Sequence, residues 1–236
     1  MKKQLHTLQA LERQTNVTTN ASLLALVVGL TLGGLSPTTA GPVIYAKSGS
    51  QFIMIDVGAG KVTTIGSLGV AGANGLAFAP DGTAYSVTES CGSCAGIPRL
   101  VTIERTSGEV TVIAPTTPRT KFMGIVYSPQ GILYGVDAAS GGGSGSLFTI
   151  DPATGQATKV GINGGVGDIM DLAFHPDGTL YGIDGATLYR VDVATGKRTL
   201  VKTLRGLSNS MGLVIDRDGT FYASDYVPFS PMVRID

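Results

Sequence analysis

The chain has 236 residues, with 17 basic and 17 acidic side chains and no formal net charge. Proteins that bind nucleic acids or anionic membranes by charge carry basic patches, so this balance argues against both kinds of partner. Only 14% of the residues are charged, 43% are hydrophobic and 34 are glycine, a composition that predicts a turn-rich globular domain with a buried core.

Residues 1–40 are predicted to be a signal peptide. Basic residues precede an apolar run at 22–35, which is too short to span a membrane comfortably. Thr38 and Ala40 then match the small-residue pattern that signal peptidase prefers, so cleavage after Ala40 is expected. An uncleaved anchor is the alternative. Cleavage would leave residues 41–236 as a secreted or periplasmic domain without a membrane-inserted segment.

Downstream of this leader, one phrase occurs four times. It is GLAFAPDGTAY at 75–85, GIVYSPQGILY at 124–134, DLAFHPDGTLY at 171–181 and GLVIDRDGTFY at 212–222. A second phrase, of the type LFTID, occurs five times, and its first four copies lead into a turn closed by glycine. Both phrases recur at the same period of about 40 to 50 residues, which indicates a repeated structural unit.

Each unit is predicted to contain four short antiparallel strands, which we name A to D in chain order. Strand A is an apolar run typical of a strand buried on both faces, and a Pro-Asp-Gly turn or a variant of it leads to strand B. Strands B and C alternate apolar and polar residues, and the glycine turn leads to strand D. No segment after the leader shows the 3.6-residue period of a helix, so the protein is predicted to be all-β.

Four-stranded antiparallel units at this period fit the blades of a β-propeller, in which radial repetition leaves only short sheet edges. The phrases PDGTLYG, LYRVD and ATG resemble those of secreted bacterial propellers of the NHL, YVTN and gluconolactonase-like kind. This resemblance covers residues 43–236 and implies the fold. It implies no particular activity, because such phrases are structural turns shared by propellers of many functions.

The strand pattern predicts about five blades, of which both terminal blades are incomplete. The first would lack strand A and the last would lack strand D. The predicted blades are residues 43–67, 73–115, 121–161, 168–204 and 209–236. An imperfect five-bladed ring and a piece of a longer propeller both fit this pattern.

Cys91 and Cys94 form the sequence CGSC on the predicted loop between strands B and C of the second blade. We expect a disulfide between them, because an exported protein folds in an oxidising compartment. A redox-active pair would need a helix start, and zinc would need two further ligands, whereas His175 is the one histidine after the leader. So small a ring would order its loop and add little to the free energy of unfolding.

The shortage of histidine also argues against a hydrolase triad. His175 lies in a predicted A–B turn, and the same position in the other copies holds Ala79, Ser128 and Asp216. A position that varies so freely between repeats is expected to be solvated surface rather than the site of a general base.

The remaining candidate site is the mouth of the central channel, where each strand A begins. Four residues whose side-chain oxygens could bind a metal ion are predicted there: Asn74, Asp168, Asp171 and Asn209. In part they resemble the set that holds calcium in gluconolactonase-like propellers, since Ca²⁺ prefers carboxylate and amide oxygens. The alternative is that these side chains cap the loops into strand A, while Met123, Met170 and Met211 fill the channel as apolar residues.

These observations predict a non-catalytic propeller outside the cytoplasm that binds a protein or a small ligand through its loops. No cofactor is expected for that function. The alternative is a calcium-dependent lactonase or other hydrolase whose site lies at the channel mouth. The residues alone do not choose the ligand.

Overall fold

The structure is a computed structural model. It describes residues 26–27, 43–90, 96–137, 145–161, 166–226 and 232–235. These residues form 19 strands in five antiparallel sheets. The described residues contain no helix that is long and apolar enough to cross a membrane.

The strands are numbered along the chain. The first sheet contains β1 (Leu26–Val27), β2 (Val43–Ser48), β3 (Gln51–Asp56) and β4 (Lys61–Ser67). The second sheet contains β5 (Ala71–Phe78), β6 (Ala84–Ser90), β7 (Arg99–Ile103) and β8 (Val110–Pro115). The third sheet contains β9 (Gly124–Tyr127), β10 (Leu133–Asp137), β11 (Ser146–Ile150) and β12 (Ala157–Lys159).

The fourth sheet contains β13 (Asp171–Phe174), β14 (Leu180–Asp184), β15 (Thr187–Val191) and β16 (Arg198–Thr203). The fifth sheet contains β17 (Ser210–Ile215), β18 (Phe221–Asp225) and β19 (Met232–Ile235). Neighbouring strands in every sheet follow one another in the chain. The four strands of a full sheet are therefore strands A to D of one repeat.

The first strands of the five sheets form a closed ring. β1 contacts β5, β5 contacts β9, β9 contacts β13, β13 contacts β17, and β17 contacts β1. We call these five strands the inner ring. This order makes the molecule a five-bladed β-propeller, which confirms the predicted fold class.

The ring includes a segment that the sequence pattern placed outside the domain. Leu26 pairs with Lys47 and Val27 pairs with Ala46 in antiparallel register, so β1 takes the strand A position that had no predicted occupant. Residues 43–67 supply the other three strands of this sheet, as predicted, and the fifth sheet has three strands among the described residues, as predicted for the last blade. Cleavage after Ala40 stays a prediction, and it would remove β1.

The A–B turns have the same hydrogen bonds in the second to fifth sheets. In the second, the N–H of Ala79 donates to the carbonyl of Thr83 at 2.9 Å, and the N–H of Gly82 donates to the carbonyl of Ala79 at 2.8 Å. Gly82 has a φ of 88°, a left-handed conformation that glycine adopts without a steric penalty. Equivalent bonds are made in the turns that begin at Ser128, His175 and Asp216, so the repeated phrase specifies a repeated turn.

The core is divided among the interfaces between sheets. Five clusters of buried apolar side chains each combine residues from two neighbouring sheets. One example is Phe122, two residues before the third sheet begins, which packs with Val87 and Leu100 of the second. Another cluster joins Ile44 of the first sheet to Val214 of the fifth. Because burying one such side chain contributes about 1.5–3 kcal/mol, these clusters stabilise the closed ring.

Candidate functional site

The four predicted calcium ligands lie near the start of the inner-ring strands, but in different environments. Asn74 is half-buried within β5, and its backbone carbonyl accepts a hydrogen bond from the Ser86 hydroxyl at 3.2 Å. Asp168 is half-buried before β13, and Asn209 is exposed immediately before β17. Asp171 begins β13 and is completely buried.

Both carboxylate oxygens of Asp171 accept hydrogen bonds from the backbone. Oδ1 accepts from the N–H of Leu172 at 2.9 Å, and Oδ2 accepts from the N–H of Leu213 at 2.8 Å. The second bond joins β13 to β17 of the next sheet. Burial raises the pKa of Asp171 well above its ordinary value, although the two amide hydrogen bonds act in the opposite direction. Asp171 therefore links two inner-ring strands.

Asp171 occupies a position that is glycine in the other copies of the phrase, at Gly75, Gly124 and Gly212. A Cβ on Gly75 would lie 2.6 Å from the backbone nitrogen of Ile125. A Cβ on Gly124 would lie 2.8 Å from the Cα of Asp171. The backbones of neighbouring inner-ring strands are thus in contact at this position. Among these four equivalent residues, Asp171 is the one that places a side chain between neighbouring inner-ring strands.

The described residues contain no group of three or more His, Cys, Asp or Glu side chains placed to hold a metal ion. Asp171 already accepts two amide hydrogen bonds, and Asn209 has an exposed side chain. The calcium site stays a prediction. The predicted disulfide also stays a prediction, because Cys91 and Cys94 lie outside the described residues.

A second buried carboxylate orders the loop that contains Asn209. Asp225, at the end of β18, is 5% exposed. Its Oδ2 accepts from the N–H and the hydroxyl of Ser208 at 2.8 and 3.1 Å, and its Oδ1 accepts from the hydroxyl of Ser210 at 2.8 Å. The N–H of Asn209 lies 3.3 Å from the same Oδ1. Asp225 therefore caps the loop that leads into β17.

Sequence reasoning missed Asp225, although a signal for it exists. The pattern Tyr-x-x-Asp ends strand B in three copies, at Asp137, Asp184 and Asp225. Asp137 accepts from the N–H of Ser146 at 2.7 Å, and Asp184 forms an ion pair with Arg198 at 2.9 Å. These contacts favour the interpretation in which carboxylates at this end of the ring order loops.

A cavity of about 580 Å³ lies at the opposite end of the inner ring. We call it the turn-side cavity. Its walls come from the A–B turns of the second to fifth sheets and from one C–D turn: Phe78–Gly82, Arg105, Tyr127–Pro129, Phe174–Pro176 and Ile215–Arg217. The repeated turns thus provide a shared wall, to which each sheet contributes different side chains.

Large apolar side chains line this cavity at one position of the repeat. The last residue of strand A is Phe78, Tyr127, Phe174 or Ile215 in the second to fifth sheets, and all four line the cavity. Tyr127 packs edge-on against Tyr85 with the ring centroids 5.5 Å apart. Burial raises the pKa of Tyr127, so its hydroxyl stays neutral at physiological pH.

His175 lies in the cavity wall and is not the solvated side chain that the sequence suggested. Its side chain is 27% exposed, and its ring stacks on Phe221 with a centroid distance of 5.9 Å. Nε2 faces the backbone of Gly219, where a Cβ would lie only 2.6 Å away. The variable position of the A–B turn, which also holds Ala79 and Ser128, faces the cavity in each copy.

Arg105 reaches the cavity from the C–D turn of the second sheet. Its guanidinium lies over the rings of Tyr45 and Phe78, at 5.3 and 5.6 Å from their centroids, which is cation–π geometry. Nη2 lies 3.4 Å from the hydroxyl of Tyr45. The buried Nε has no hydrogen-bond partner among the described residues.

No protein-family profile matches the sequence, and no curated protein matches it. Solved structures do resemble the chain. A protein in the crystal structure of a nidogen/laminin complex is 18% identical, with 78% of this chain and 67% of that one covered and a TM-score of 0.53.

Two further structures have similar scores. The PQQ-bound aldose sugar dehydrogenase from Streptomyces coelicolor is 17% identical, with 90% of this chain and 77% of that one covered and a TM-score of 0.54. A protein assigned as a gluconolactonase is 18% identical, with 89% of this chain and 80% of that one covered and a TM-score of 0.53. At these identities the likeness shows the fold alone. It supports the propeller fold, and the function has to be argued from the residues of the site.

Proposed function

We propose that this chain is an exported, non-catalytic β-propeller that binds a small organic ligand in the turn-side cavity. The observation that carries the proposal is the cavity itself, whose volume of about 580 Å³ lies in the range of small-molecule sites, roughly 300–1,000 Å³. Its walls combine aromatic rings with a few polar groups, as in such sites. The cavity is partly open to solvent, so a small ligand can enter it from the turn side.

Ser128 and His175 of the cavity wall are not arranged as a nucleophile and its base. Acyl transfer by a serine requires a base within hydrogen-bond reach of its hydroxyl. Nε2 of His175 faces Gly219, and the Ser128 hydroxyl oxygen accepts a hydrogen bond from the N–H of Ile132 at 3.1 Å. Binding without turnover is the activity that this arrangement supports.

Filling the cavity is expected to abolish ligand binding. Ala79 lines the cavity and contributes its backbone to the A–B turn, so Ala79→Phe adds volume without removing a hydrogen bond. The measurement is a thermal-shift screen of small organic compounds against the wild type and this variant. Ligands of the cavity should raise the melting temperature of the wild type alone, since a ligand stabilises the state it binds.

Ala153→Phe is the matched control, because Ala153 is exposed on a C–D turn away from the cavity. It should respond to the same compounds as the wild type. Compounds that stabilise all three proteins alike would place the site elsewhere, and a screen without any stabilising compound would contradict the proposal.

The alternative function, a calcium-dependent hydrolase, is tested by calcium binding. Since both oxygens of Asp171 accept amide hydrogen bonds, 1 mM Ca²⁺ is expected to shift the melting temperature no more than 1 mM Mg²⁺. The comparison uses protein that has first been dialysed against a chelator. A calcium-specific increase that disappears in Asp168→Asn or Asn209→Ala would favour a site at the channel mouth instead. These two variants keep Asp171, so they test metal binding without breaking its amide bonds.

A further inference from the structure

The charged side chains around the turn-side cavity differ in the hydrogen bonds that they already make. Asp81 accepts from the N–H of Thr83 at 2.8 Å. Asp216 accepts from the N–H groups of Asp218 and Thr220, both at 2.9 Å. The two carboxylates of the wall are thus used in ordering their own turns.

The two arginines of the wall, Arg105 and Arg217, are less strongly held. In the described part of the chain, no carboxylate lies within ion-pair distance of Arg105 or Arg217. Arg105 is half-buried, so its guanidinium has lost part of its hydration. The carboxylate that interacts with it, Glu104, is exposed and already accepts hydrogen bonds from the N–H and the hydroxyl of Thr106. An anion in the cavity would approach the guanidinium from the less hydrated side, and a charge-assisted hydrogen bond to a partly desolvated guanidinium is among the stronger polar contacts.

The position of Arg105 is fixed before any ligand binds. Its guanidinium stacks against Tyr45 and Phe78, and a Cβ on Gly82 would come within 3.3 Å of Nη1. Glycine at 82 therefore leaves room for the guanidinium as well as forming the turn. Nε is buried and one N–H of Nη2 faces the Tyr45 hydroxyl. Nη1 and the second N–H of Nη2 are therefore the donors left for a ligand, and such a pair matches the two oxygens of a carboxylate.

Arg217 stands at a position where the other copies of the repeat have proline. The position after the variable turn residue is proline in three copies, at Pro80, Pro129 and Pro176, and arginine in the fourth. All four residues line the cavity. The prolines make a rigid apolar rim, and Arg217 adds an exposed positive charge to it.

From this arrangement we infer that the turn-side cavity selects small organic anions, with a carboxylate held by Arg105 and a flat apolar body packed on Phe78, Tyr127 and Phe174. The inference rests on the proposed function, because it names the class of ligand for the same site. Arg217 would attract the anion from the rim, where solvent screens its charge more strongly.

The test compares compounds of the same shape with and without the charge. The probes are phenylacetate with phenylacetamide, indole-3-acetate with indole-3-acetamide, and naphthalene-2-carboxylate with its amide. Affinity for the full-length protein is measured by isothermal titration calorimetry. Each carboxylate should bind at least about tenfold more tightly than its amide, because a hydrogen bond between two charged groups is stronger than one that involves a neutral group. The preference should decrease as sodium chloride is raised.

Arg105→Gln should remove this preference by weakening the carboxylates about tenfold and leaving the amides within about twofold. Arg190→Gln is the matched control, because Arg190 is exposed on β15 and does not line the cavity. Arg217→Gln should reduce the salt dependence of carboxylate binding, while most of the affinity for the carboxylates should remain. The wild-type comparison needs no variant, so the inference stays testable even where Arg105→Gln fails to fold.

The outcomes separate the inference from the proposed function. Equal affinities of carboxylates and amides, both lost in Ala79→Phe, would overturn the ligand class and keep the cavity as a binding site. Carboxylates whose affinity is unchanged in Arg105→Gln would overturn the role of Arg105. If no probe binds and the wider screen also finds no ligand of the cavity, the proposed function fails as well.

Discussion

A chain that begins at Gly41 is expected to melt about 5–10 °C below a chain that begins at Ala21. The longer chain retains β1, which pairs with Ala46 and Lys47 and contacts β5 and β17. Its loss unpairs the inner edge of β2 and opens the ring where the first and fifth sheets meet. A lost hydrogen bond costs about 0.5–1.5 kcal/mol, and 1 kcal/mol shifts the melting temperature of a domain this size by about 2–4 °C.

A double substitution tests the same strand without a deletion. Leu26→Pro with Val27→Pro removes the backbone donors of β1, whereas Leu26→Ala with Val27→Ala keeps them. In the longer chain, the proline pair should reproduce most of the loss and the alanine pair should cause much less. Melting is followed by circular dichroism. Equal melting temperatures for the two chain lengths would show that β1 does not stabilise the ring.

This result bears on the predicted export signal. Cleavage after Ala40 produces the same truncation as the shorter chain. Mass spectrometry of the exported protein gives its first residue, and a start at Gly41 would mean that the functional propeller exists without β1. In that case the inner edge of β2 is an unpaired strand edge, which another strand can occupy.

The repeated fold could be predicted because its determinants are local. The turn around Gly82 requires a positive φ and closes within five residues, so its pattern is visible wherever the phrase recurs. Strand β1 is different. Leu26 and Val27 lie in a long apolar run with no alternation, and their partners in β2 are fixed by ring closure rather than by nearby residues. The same run fits an export signal equally well.

The turn-side cavity could not be predicted for a related reason. Ala79, Ser128 and His175 are far apart in the chain and have no common chemistry, so variation at this position indicated a solvated surface. Closing the ring brings the turns together around one space, and Arg105 enters it from a C–D turn. Variation between repeats in a propeller can thus mark the place where the repeats differ in function.

Asp171→Gly is expected to lower the free energy of unfolding by about 2–4 kcal/mol, even though glycine stands at this position in the other copies. The side chain accepts from the N–H groups of Leu172 and Leu213. Removing it leaves two buried amide groups without these acceptors, and each unsatisfied group costs about 1–3 kcal/mol. Urea unfolding followed by circular dichroism measures the change.

Asp177→Gly is the matched control, because Asp177 also accepts a backbone hydrogen bond, from Thr179 at 2.8 Å, but lies on an exposed turn. Its loss should change the free energy of unfolding by less than about 1 kcal/mol. An effect of Asp171→Gly no larger than that of the control would mean that the link between β13 and β17 contributes little.

The pH dependence of Asp171→Asn tests the electrostatics of the same position. Because burial raises the pKa of Asp171 in the folded state, the folded protein binds this proton more tightly than the unfolded chain does. The stabilisation from this group is complete below the unfolded pKa of about 3.9 and is lost as pH rises through the folded pKa. The wild type should therefore lose stability relative to Asp171→Asn between pH 4 and pH 8.

Urea unfolding of both proteins across this range measures that difference. A wild type that keeps or gains stability relative to Asp171→Asn as pH rises would show that the amide groups of Leu172 and Leu213 outweigh desolvation and hold Asp171 ionised. A calcium ligand would behave differently again, since the wild type would gain stability over the variant when Ca²⁺ is added at pH 8. The three outcomes separate a buried neutral link, a buried ionised link and a metal ligand at one position of the inner ring.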